Sequence, residues 1–119
     1  MARYVDGFLL AVPKKNLDAY RRMARKAGKI WMEYGALEYV ENVADDVKPG
    51  KVTSFPQAVK LKAGEVVVFS WITYKSRKHR DTVNAKVMAD PRIAGMDPKT
   101  LPFDGKRMIF GGFKSIVAL

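Results

Sequence analysis

Hydrophobic positions in this chain recur with two periods, and the segments that show them follow one another as strand, helix, strand, then strand, helix, strand. Residues 4–12 alternate with a period of two, and both alternating sets are mostly apolar. Residues 66–74 show the same double-sided pattern. Strands that are apolar on both faces are typical of the centre of a covered sheet. We therefore predict two central strands here and two further strands at residues 36–44 and 107–117, of which residues 36–44 are polar enough for a sheet edge.

The two predicted helices show the spacing of three and four residues that marks an amphipathic helix. Gly35 is placed to end the first helix in a left-handed conformation. Ser76 is placed to cap the second helix, and Pro91 to end it. The apolar stripe of the first helix comprises Leu17, Tyr20, Ala24, Ala27, Trp31 and Tyr34, and that of the second comprises His79, Val83, Val87 and Asp90, flanked by Asn84 and Met88.

The connections are less regular than these elements. Residues 54–59 form either one helical turn capped by Ser54 or an extended excursion. Residues 92–102 are expected to be irregular, and the Asp-Gly pair at 104–105 signals a tight turn before the last strand. The Gly-Gly pair at 111–112 inside that strand indicates a bulge or a close backbone approach.

The order β-α-β-β-α-β predicts an α+β fold, the ferredoxin-like sandwich with a four-stranded antiparallel sheet. In that topology the first and third strands are central, which agrees with the two strands that are apolar on both faces. The chain has 119 residues, and we expect residues 1–119 to form a single domain.

One face of the predicted sheet needs a cover other than the two helices. Leaving four large apolar side chains in water forfeits roughly 6–12 kcal/mol, whereas a whole domain has only about 5–15 kcal/mol of stability. A second copy of the chain, packed through a self-complementary two-fold interface, would cover that face. We therefore expect a homodimer that pairs through the sheet face as a dimeric α/β barrel.

Composition narrows the classes of function. There is no cysteine, which excludes disulfides and thiolate chemistry. The N-terminus lacks the apolar core of a signal peptide, and no apolar stretch is long enough to span a bilayer. We therefore expect a cytoplasmic protein that does not act at a membrane.

The net charge of +10 raises the prospect of nucleic acid or an acidic partner. RNA binding is not favoured, because residues 64–71 carry valines where an RNA-recognition fold needs stacking rings.

A long segment near the C-terminus, residues 101–113, resembles the YbaA-like bacterial family of unknown function. Shorter segments at residues 4–8, 69–72, 80–81 and 90–92 strengthen the resemblance, which covers essentially the whole chain. The family is similar to members of the dimeric α/β-barrel superfamily, which includes cofactor-free monooxygenases, isomerases, haem enzymes and proteins without known activity. The resemblance therefore implies a fold and a dimer, and it implies no particular reaction.

The chain departs from the pattern of that family at Asn42, where a cysteine often stands, so any role of that thiol is absent here. The family pattern also does not require a histidine at position 79, which weakens a catalytic interpretation of His79.

Three residues are candidates for catalysis. Asp6 is a carboxylate on an apolar strand, where burial would raise its pKa unless it is paired. His79 is the only histidine and is either a general base or a boundary residue. Arg107 either clamps an anion at a pocket mouth or pairs with Asp104 or Asp81 to hold a turn.

Candidates for the lining of a ligand pocket are Tyr39, Trp71, Tyr74, Asn84 and Phe110, which could equally be core. With one histidine and no cysteine, the sequence predicts no metal site and no cofactor.

We expect an uncharacterised homodimer with a pocket for a small anionic or aromatic metabolite and cofactor-free chemistry. The alternative is a non-catalytic binding module for nucleic acid or an acidic partner, and the residues leave open whether the protein is an enzyme.

Overall fold

The computed structural model describes residues 3–119 of the chain. The main elements in chain order are β1 (Tyr4–Pro13), α1 (Leu17–Glu33), β2 (Glu38–Val43), α2 (Phe55–Ala58), β3 (Glu65–Tyr74), α3 (Arg77–Ala89), α4 (Pro91–Ala94) and β4 (Ile109–Lys114). Short 3₁₀ turns lie at Lys14–Asn16, Pro98–Thr100 and Gly105–Arg107.

The four strands form one antiparallel sheet in the order β2-β3-β1-β4. The central pair β1 and β3 is in register from Tyr4 opposite Tyr74 to Pro13 opposite Glu65. This is the predicted ferredoxin-like topology. The double-sided apolar strands are the two central ones, and the polar strand β2 lies at an edge.

The helix boundaries follow from local chemistry. Ser76 is extended and its side chain accepts a hydrogen bond from the backbone N–H of His79, which begins α3. Gly35 follows α1 with φ of 109°, a conformation that glycine adopts at little cost. Ser54 caps α2 through the backbone N–H of Gln57, so the helical alternative for residues 54–59 is the observed one.

Two of the expectations need correction. Residues 92–102 are not wholly irregular, because Asp90 and Asp97 each cap a short helical turn. The last strand begins at Ile109, later than the predicted residue 107, because a 3₁₀ turn capped by Asp104 holds residues 105–107. It ends at Lys114, earlier than the predicted residue 117.

The glycine pair of β4 marks a close approach, not a bulge. The register of β4 with β1 is continuous through both glycines. A Cβ atom on Gly112 would lie only 2.7 Å from Cε2 of the Tyr4 ring. The absence of a side chain at Gly112 therefore lets the Tyr4 ring pack closely against the edge strand.

The core lies between the sheet and the layer of α1 and α3. Its buried side chains come from the alternating set of β1 and β3 that faces the helices, and from the inner stripes of the helices: Leu10, Val12, Val68, Ile72 and Tyr74 from the strands, and Tyr20, Ala24, Ile30, Val83 and Val87 from the helices.

The other face of the sheet is covered at one end only. Ala11 and Val67 are buried there beneath Val59, which belongs to the long connection between β2 and β3. Toward the other end, Phe113 is 65% exposed and Phe69 is 45% exposed. The connection thus covers part of the face for which we expect a second copy of the chain, and an apolar area remains open.

Within residues 3–119, no helix combines the length and the apolar character needed to cross a membrane.

Candidate functional site

A cavity of about 580 Å³ lies between the sheet and the helices. Its floor is formed by β1, β3 and β4, its walls by α1 and α3, and its roof by the segment that joins α3 to β4. The side chains and backbone that line it include Phe8, Leu10 and Ile72 from the central strands, Met23, Ala27 and Trp31 from α1, Met88 from α3, and Ile93, Met96, Leu101, Phe103 and Met108 from the roof.

Methionine is concentrated around this cavity. The chain has six methionines, and four of them, Met23, Met88, Met96 and Met108, line it. Methionine has an unbranched, polarizable side chain that adapts to differently shaped apolar partners. The lining is therefore suited to an apolar ligand and to changes in the shape of that ligand.

One ion pair provides the charge at the cavity floor. Arg80 of α3 reaches across to β1, where its Nη1 donates to Oδ1 of Asp6 at 2.6 Å. The Asp6 side chain is 8% exposed and that of Arg80 is 19% exposed. The guanidinium also donates from Nε to Asp81 at 2.8 Å and lies 4.8 Å from the centre of the Tyr4 ring. Arg80 is thereby held in one orientation over the floor of the cavity.

Asn84 lies one helical turn after Arg80 and organises the neighbouring donors. Its Oδ1 accepts from the indole Nε1 of Trp31 at 3.0 Å and from the hydroxyl of Tyr74 at 3.1 Å. The amide therefore joins α1, α3 and β3 beside the ion pair. We call Asp6, Arg80, Asn84, Tyr74 and Trp31 the polar cluster.

Burial changes the acidities of the polar cluster. Desolvation raises the pKa of Asp6 above its ordinary value of 3.8, although the charge of Arg80 and hydrogen bonds from Asn84, Arg80 and Tyr74 oppose the shift. Desolvation also raises the pKa of the Tyr74 hydroxyl, and the nearby Asp6 carboxylate adds to that effect. The cluster therefore holds its protons more firmly than the same groups in water.

Glu41 holds two tyrosines on the flank of the cavity. Its Oε1 accepts from the Tyr20 hydroxyl at 2.7 Å and its Oε2 accepts from the Tyr39 hydroxyl at 2.9 Å. Desolvation and the Glu41 carboxylate together raise the pKa of both phenols. The same three side chains line the cavity on one side and an open groove between α1 and β2 on the other. They form the partition between the two spaces.

Only one of the three predicted catalytic candidates lies at the cavity. Asp6 is on its floor. His79 lies at the start of α3, where its Nδ1 accepts from the backbone N–H of Lys75 and its ring packs edge-on against Tyr74. Because Nδ1 is an acceptor, the neutral ring carries its proton on Nε2. His79 is not among the residues that line the cavity.

Arg107 holds a turn and is fully engaged with protein groups. Its two terminal nitrogens bind Glu65 bidentately at 2.7 and 2.6 Å, and Nε donates to Asp104 at 3.1 Å. Nη1 also donates to the backbone carbonyl of Lys60 at 3.0 Å. The hydrogen bonds that Arg107 donates to Glu65 lower the pKa of that carboxyl. The geometry matches the structural alternative for Arg107, with Asp104 and not Asp81 as a partner.

The predicted pocket residues separate into two groups. Tyr39, Asn84 and Phe110 line the cavity, whereas Tyr74 is fully buried behind it and donates a hydrogen bond to Asn84. Trp71 borders the cavity from its strand, but its indole packs against Phe69 and donates to Glu38 on the other face of the sheet. The alternation along β3 accounts for this, because Ser70 and Ile72 face the helices and residue 71 faces away.

Sequence reasoning missed Arg80 and Trp31 as members of the site. Arg80 stands in a run of basic residues, 77–80, and the run does not show which cation faces inward. The spacing of four residues from Asn84 is the signal that could have found it. Trp31 belongs to the apolar stripe of α1, an assignment that is correct for its ring but leaves out its N–H donor.

Within the part of the chain that the structure describes, no three histidine or acidic side chains come together as a metal site would require. The polar side chains of the cluster that line the cavity include Asp6, Arg80 and Asn84, which can form hydrogen bonds, and of these Asp6 can also exchange a proton.

The fold is that of a ferredoxin-like α+β protein, with a cavity between the sheet and the helices. Two solved structures share the fold. A dimeric ferredoxin-like protein from an uncultured marine organism has a TM-score of 0.56 and 15% identity, and the match covers 100% of this chain and 98% of that one. An uncharacterized NIPSNAP domain protein from Burkholderia xenovorans has a TM-score of 0.53 and 14% identity, and the match covers 97% of this chain and 94% of that one.

Residues 3–105 match the family described as protein of unknown function DUF1428. The uncharacterized protein YbaA of Escherichia coli strain K12 is 55% identical over 115 residues, which is 97% of either chain. The uncharacterized protein YbaA of Shigella flexneri has the same identity and coverage. The chain belongs to the DUF1428 family, as its resemblance to YbaA-like proteins predicted.

Proposed function

We propose that this protein binds a small, largely apolar molecule in the cavity between sheet and helices, with a polar group of that molecule against the polar cluster. The observation that carries the proposal is that an apolar space of about 580 Å³ and one hydrogen-bonded set of polar groups occur together. Sites for small molecules typically enclose about 300–1,000 Å³, with apolar walls and a few placed polar groups.

The charge balance of the cluster favours an uncharged or aromatic ligand over an anion. Arg80 is the cation on the cavity floor, and its charge is met by Asp6 at 2.6 Å and by Asp81 at 2.8 Å. A carboxylate ligand would place a further negative charge beside the buried Asp6, while the charge of Arg80 is already offset by its two partners. A hydroxyl, carbonyl or ring nitrogen can instead bond to the cluster without separating the ion pair. Of the anionic and aromatic metabolites that the sequence suggests, this supports the aromatic one.

Asp6 is the group best suited to exchange a proton with such a ligand. Its raised pKa makes its carboxylate a stronger base than an exposed aspartate. Arg80 and Asn84 fix its position. If the protein is an enzyme, the reaction that this geometry supports is cofactor-free proton transfer on the bound molecule.

We further propose that the chain is a homodimer through the open part of the sheet face. Phe113 and Phe69 are exposed there, and a second copy would cover them. The related solved structure from the uncultured marine organism is described as dimeric, which supports the proposal.

The ligand proposal is tested by native mass spectrometry of protein purified gently from its own cells, followed by binding of the released molecule to the Ala27→Phe variant. Ala27 lines the cavity, so a phenyl ring there fills it, and we expect the affinity to fall at least about tenfold. The matched control is Ala85→Phe on the exposed face of α3, which should leave the affinity unchanged. Equal affinity for both variants would place the ligand elsewhere.

The dimer proposal is tested by sedimentation of two variants on one strand. Phe113 and Phe110 of β4 are both exposed, but alternation places Phe113 on the open face and Phe110 on the helix face. Phe113→Lys should yield monomer, whereas Phe110→Lys should sediment as the parent protein does. A parent protein that is monomeric at every concentration, or a Phe113→Lys variant that stays dimeric, would contradict the proposal.

A further inference from the structure

The groove between α1 and the edge strand β2 is separate from the cavity. It has a volume of about 760 Å³ and is open to solvent along its length. Apolar side chains form its floor and a row of cations from α1 forms one rim. Its lining includes the apolar Met32 and Val43, the acidic Glu33, and the basic rim of Arg21, Arg25 and Lys29.

The basic rim is available for an acidic partner. Among residues 3–119, Arg25 and Lys29 form no ion pair within 4 Å, and both are exposed. Arg21 meets Asp18 at 3.0 Å, but both side chains are more than 60% exposed, and such pairs contribute little. Of the two acidic side chains that line the groove, Glu33 is paired with Arg92, and Glu41 accepts from two tyrosine hydroxyls in the partition.

The other wall of the groove is an unpaired strand. β2 pairs with β3 on one side only, so half of its backbone N–H and C=O groups point outward, where an extended chain can bond to them. A strand added there would direct alternate side chains toward α1 and the intervening ones toward Val40 and the open face. Six residues of β2 correspond to a partner segment of about 20 Å.

The spacings of the two walls agree. Arg21, Arg25 and Lys29 follow one another at four-residue intervals, about 6 Å apart along the helix axis. Alternate side chains of a strand are about 6.8 Å apart. A segment in which acidic residues alternate with apolar ones would therefore place successive carboxylates opposite successive cations.

We propose that this groove binds an extended acidic segment of a partner protein, which adds to the sheet beside β2 and pairs its carboxylates with Arg21, Arg25 and Lys29. A single-stranded nucleic acid also presents regularly spaced anions, but it needs free aromatic faces for its bases. The Tyr20 ring packs against Phe103 and the Tyr39 ring against Trp31.

The test uses a fluorescein-labelled peptide of eight alternating glutamates and valines, with binding measured by fluorescence anisotropy at low salt. Charge reversal in the double variant R25E/K29E should weaken binding at least about tenfold. The matched control is R22E/K26E, which makes the same charge change on the same helix at exposed positions that do not line the groove, and which should weaken binding less than about threefold. Equal weakening in the two variants would reduce the effect to general electrostatics and overturn the proposal.

Two further measurements separate the occupants. Two peptides are compared, each N-methylated on one of the two sets of alternate residues. The peptide whose methyl groups face β2 cannot pair with it and should lose most of its affinity, whereas the other should keep it. Full retention by both peptides would overturn the strand addition. An oligouridylate that binds in place of the peptide and is lost in R25E/K29E would show a nucleic-acid site instead. A change in sedimentation of R25E/K29E relative to R22E/K26E would show that the groove is an interface between copies of this chain.

Discussion

The Nη1 atom of Arg80 lies 2.6 Å from Oδ1 of Asp6, so an ion pair joins the protein's second long helix to its first strand beneath a mainly apolar cavity. Desolvation opposes the charge on Asp6, and Arg80 offsets part of that penalty. The pair therefore connects the stability of the fold to the chemistry of the candidate site.

Replacement of Arg80 by methionine should be strongly destabilising at neutral pH. It would leave a carboxylate that is 8% exposed without its counter-ion, and breaking a buried pair in this way typically costs about 3–5 kcal/mol. The measurement is the free energy of unfolding in urea. Arg77→Met is the control, because Arg77 is 74% exposed and lies 3.9 Å from Asp81, so its loss should cost less than about 1 kcal/mol. Similar losses for the two variants would contradict the role of Arg80.

The same ion pair shows why the fold is easier to predict than the site. The predicted bounds of β1 and β3 agree with the structure to within a residue at each end, because two-sided apolar alternation is typical of a central strand and of little else. Asp6 is recognisable because a carboxylate stands out on such a strand. Arg80 is not recognisable in this way, because helical periodicity alone does not distinguish one cation from its neighbours in a basic run. Only the tertiary structure shows which of these cations reaches β1.

The last strand is predicted to be longer than it is in the structure. Apolar residues 116–117 continue the alternation of the last strand, so the pattern extends that strand to residue 117. Pairing with β1 ends at Lys114, opposite Tyr4, and Ile116 is 90% exposed. Strand length depends on the length of the partner strand, which local alternation does not record.

The raised pKa of Asp6 predicts a pH dependence of stability with a definite sign. The folded state holds a proton on Asp6 at pH values where the unfolded state, with a pKa near 3.8, has lost it. The contribution of Asp6 is therefore fully present below about pH 3.8 and declines as the pH rises through the raised pKa. The free energy of unfolding of the parent protein, minus that of Asp6→Asn, should fall as the pH rises above 3.8. A difference that grows with pH would show that Arg80 lowers the pKa of Asp6 by more than desolvation raises it.

Arg107→Gln should separate stability from ligand binding. Arg107 binds Glu65 bidentately and does not line the cavity, so its loss should lower the melting temperature and leave the affinity for the cavity ligand unchanged. Asp6→Asn should weaken binding of that ligand. Calorimetric titration of both variants makes the comparison, and a loss of affinity in Arg107→Gln at a temperature where it is folded would restore Arg107 as a candidate site residue.

Gly28→Ala should destabilise the protein even though alanine is the better helix former. A Cβ atom at Gly28 would lie 2.6 Å from Cδ1 of the Tyr39 ring, so either α1 or the ring must move. Overpacking of this kind typically costs about 1–3 kcal/mol, which exceeds the gain of about 1 kcal/mol from helix propensity. Gly105→Ala is the control, since the Cβ atom there would meet Leu101 at an ordinary 3.8 Å. Urea denaturation of the two variants measures the difference, and a Gly28→Ala protein as stable as the parent would mean that Tyr39 is free to move.

Glu41→Gln should make Tyr20 and Tyr39 ionise at a lower pH while both remain harder to ionise than free tyrosine. Desolvation is the larger cause of their raised pKa and stays in the variant, whereas the negative charge of Glu41 is removed. A tyrosine whose pKa is raised by folding stabilises the protein below about pH 10, and that contribution is lost as the pH rises through the raised value. The ultraviolet absorbance of phenolate, followed from about pH 9 to alkaline unfolding, reports both effects. Tyr34→Phe provides a control for a tyrosine that contacts Asp90 instead of Glu41, and a titration curve of Glu41→Gln that coincides with that of the parent would show that Glu41 does not hold the two phenols in solution.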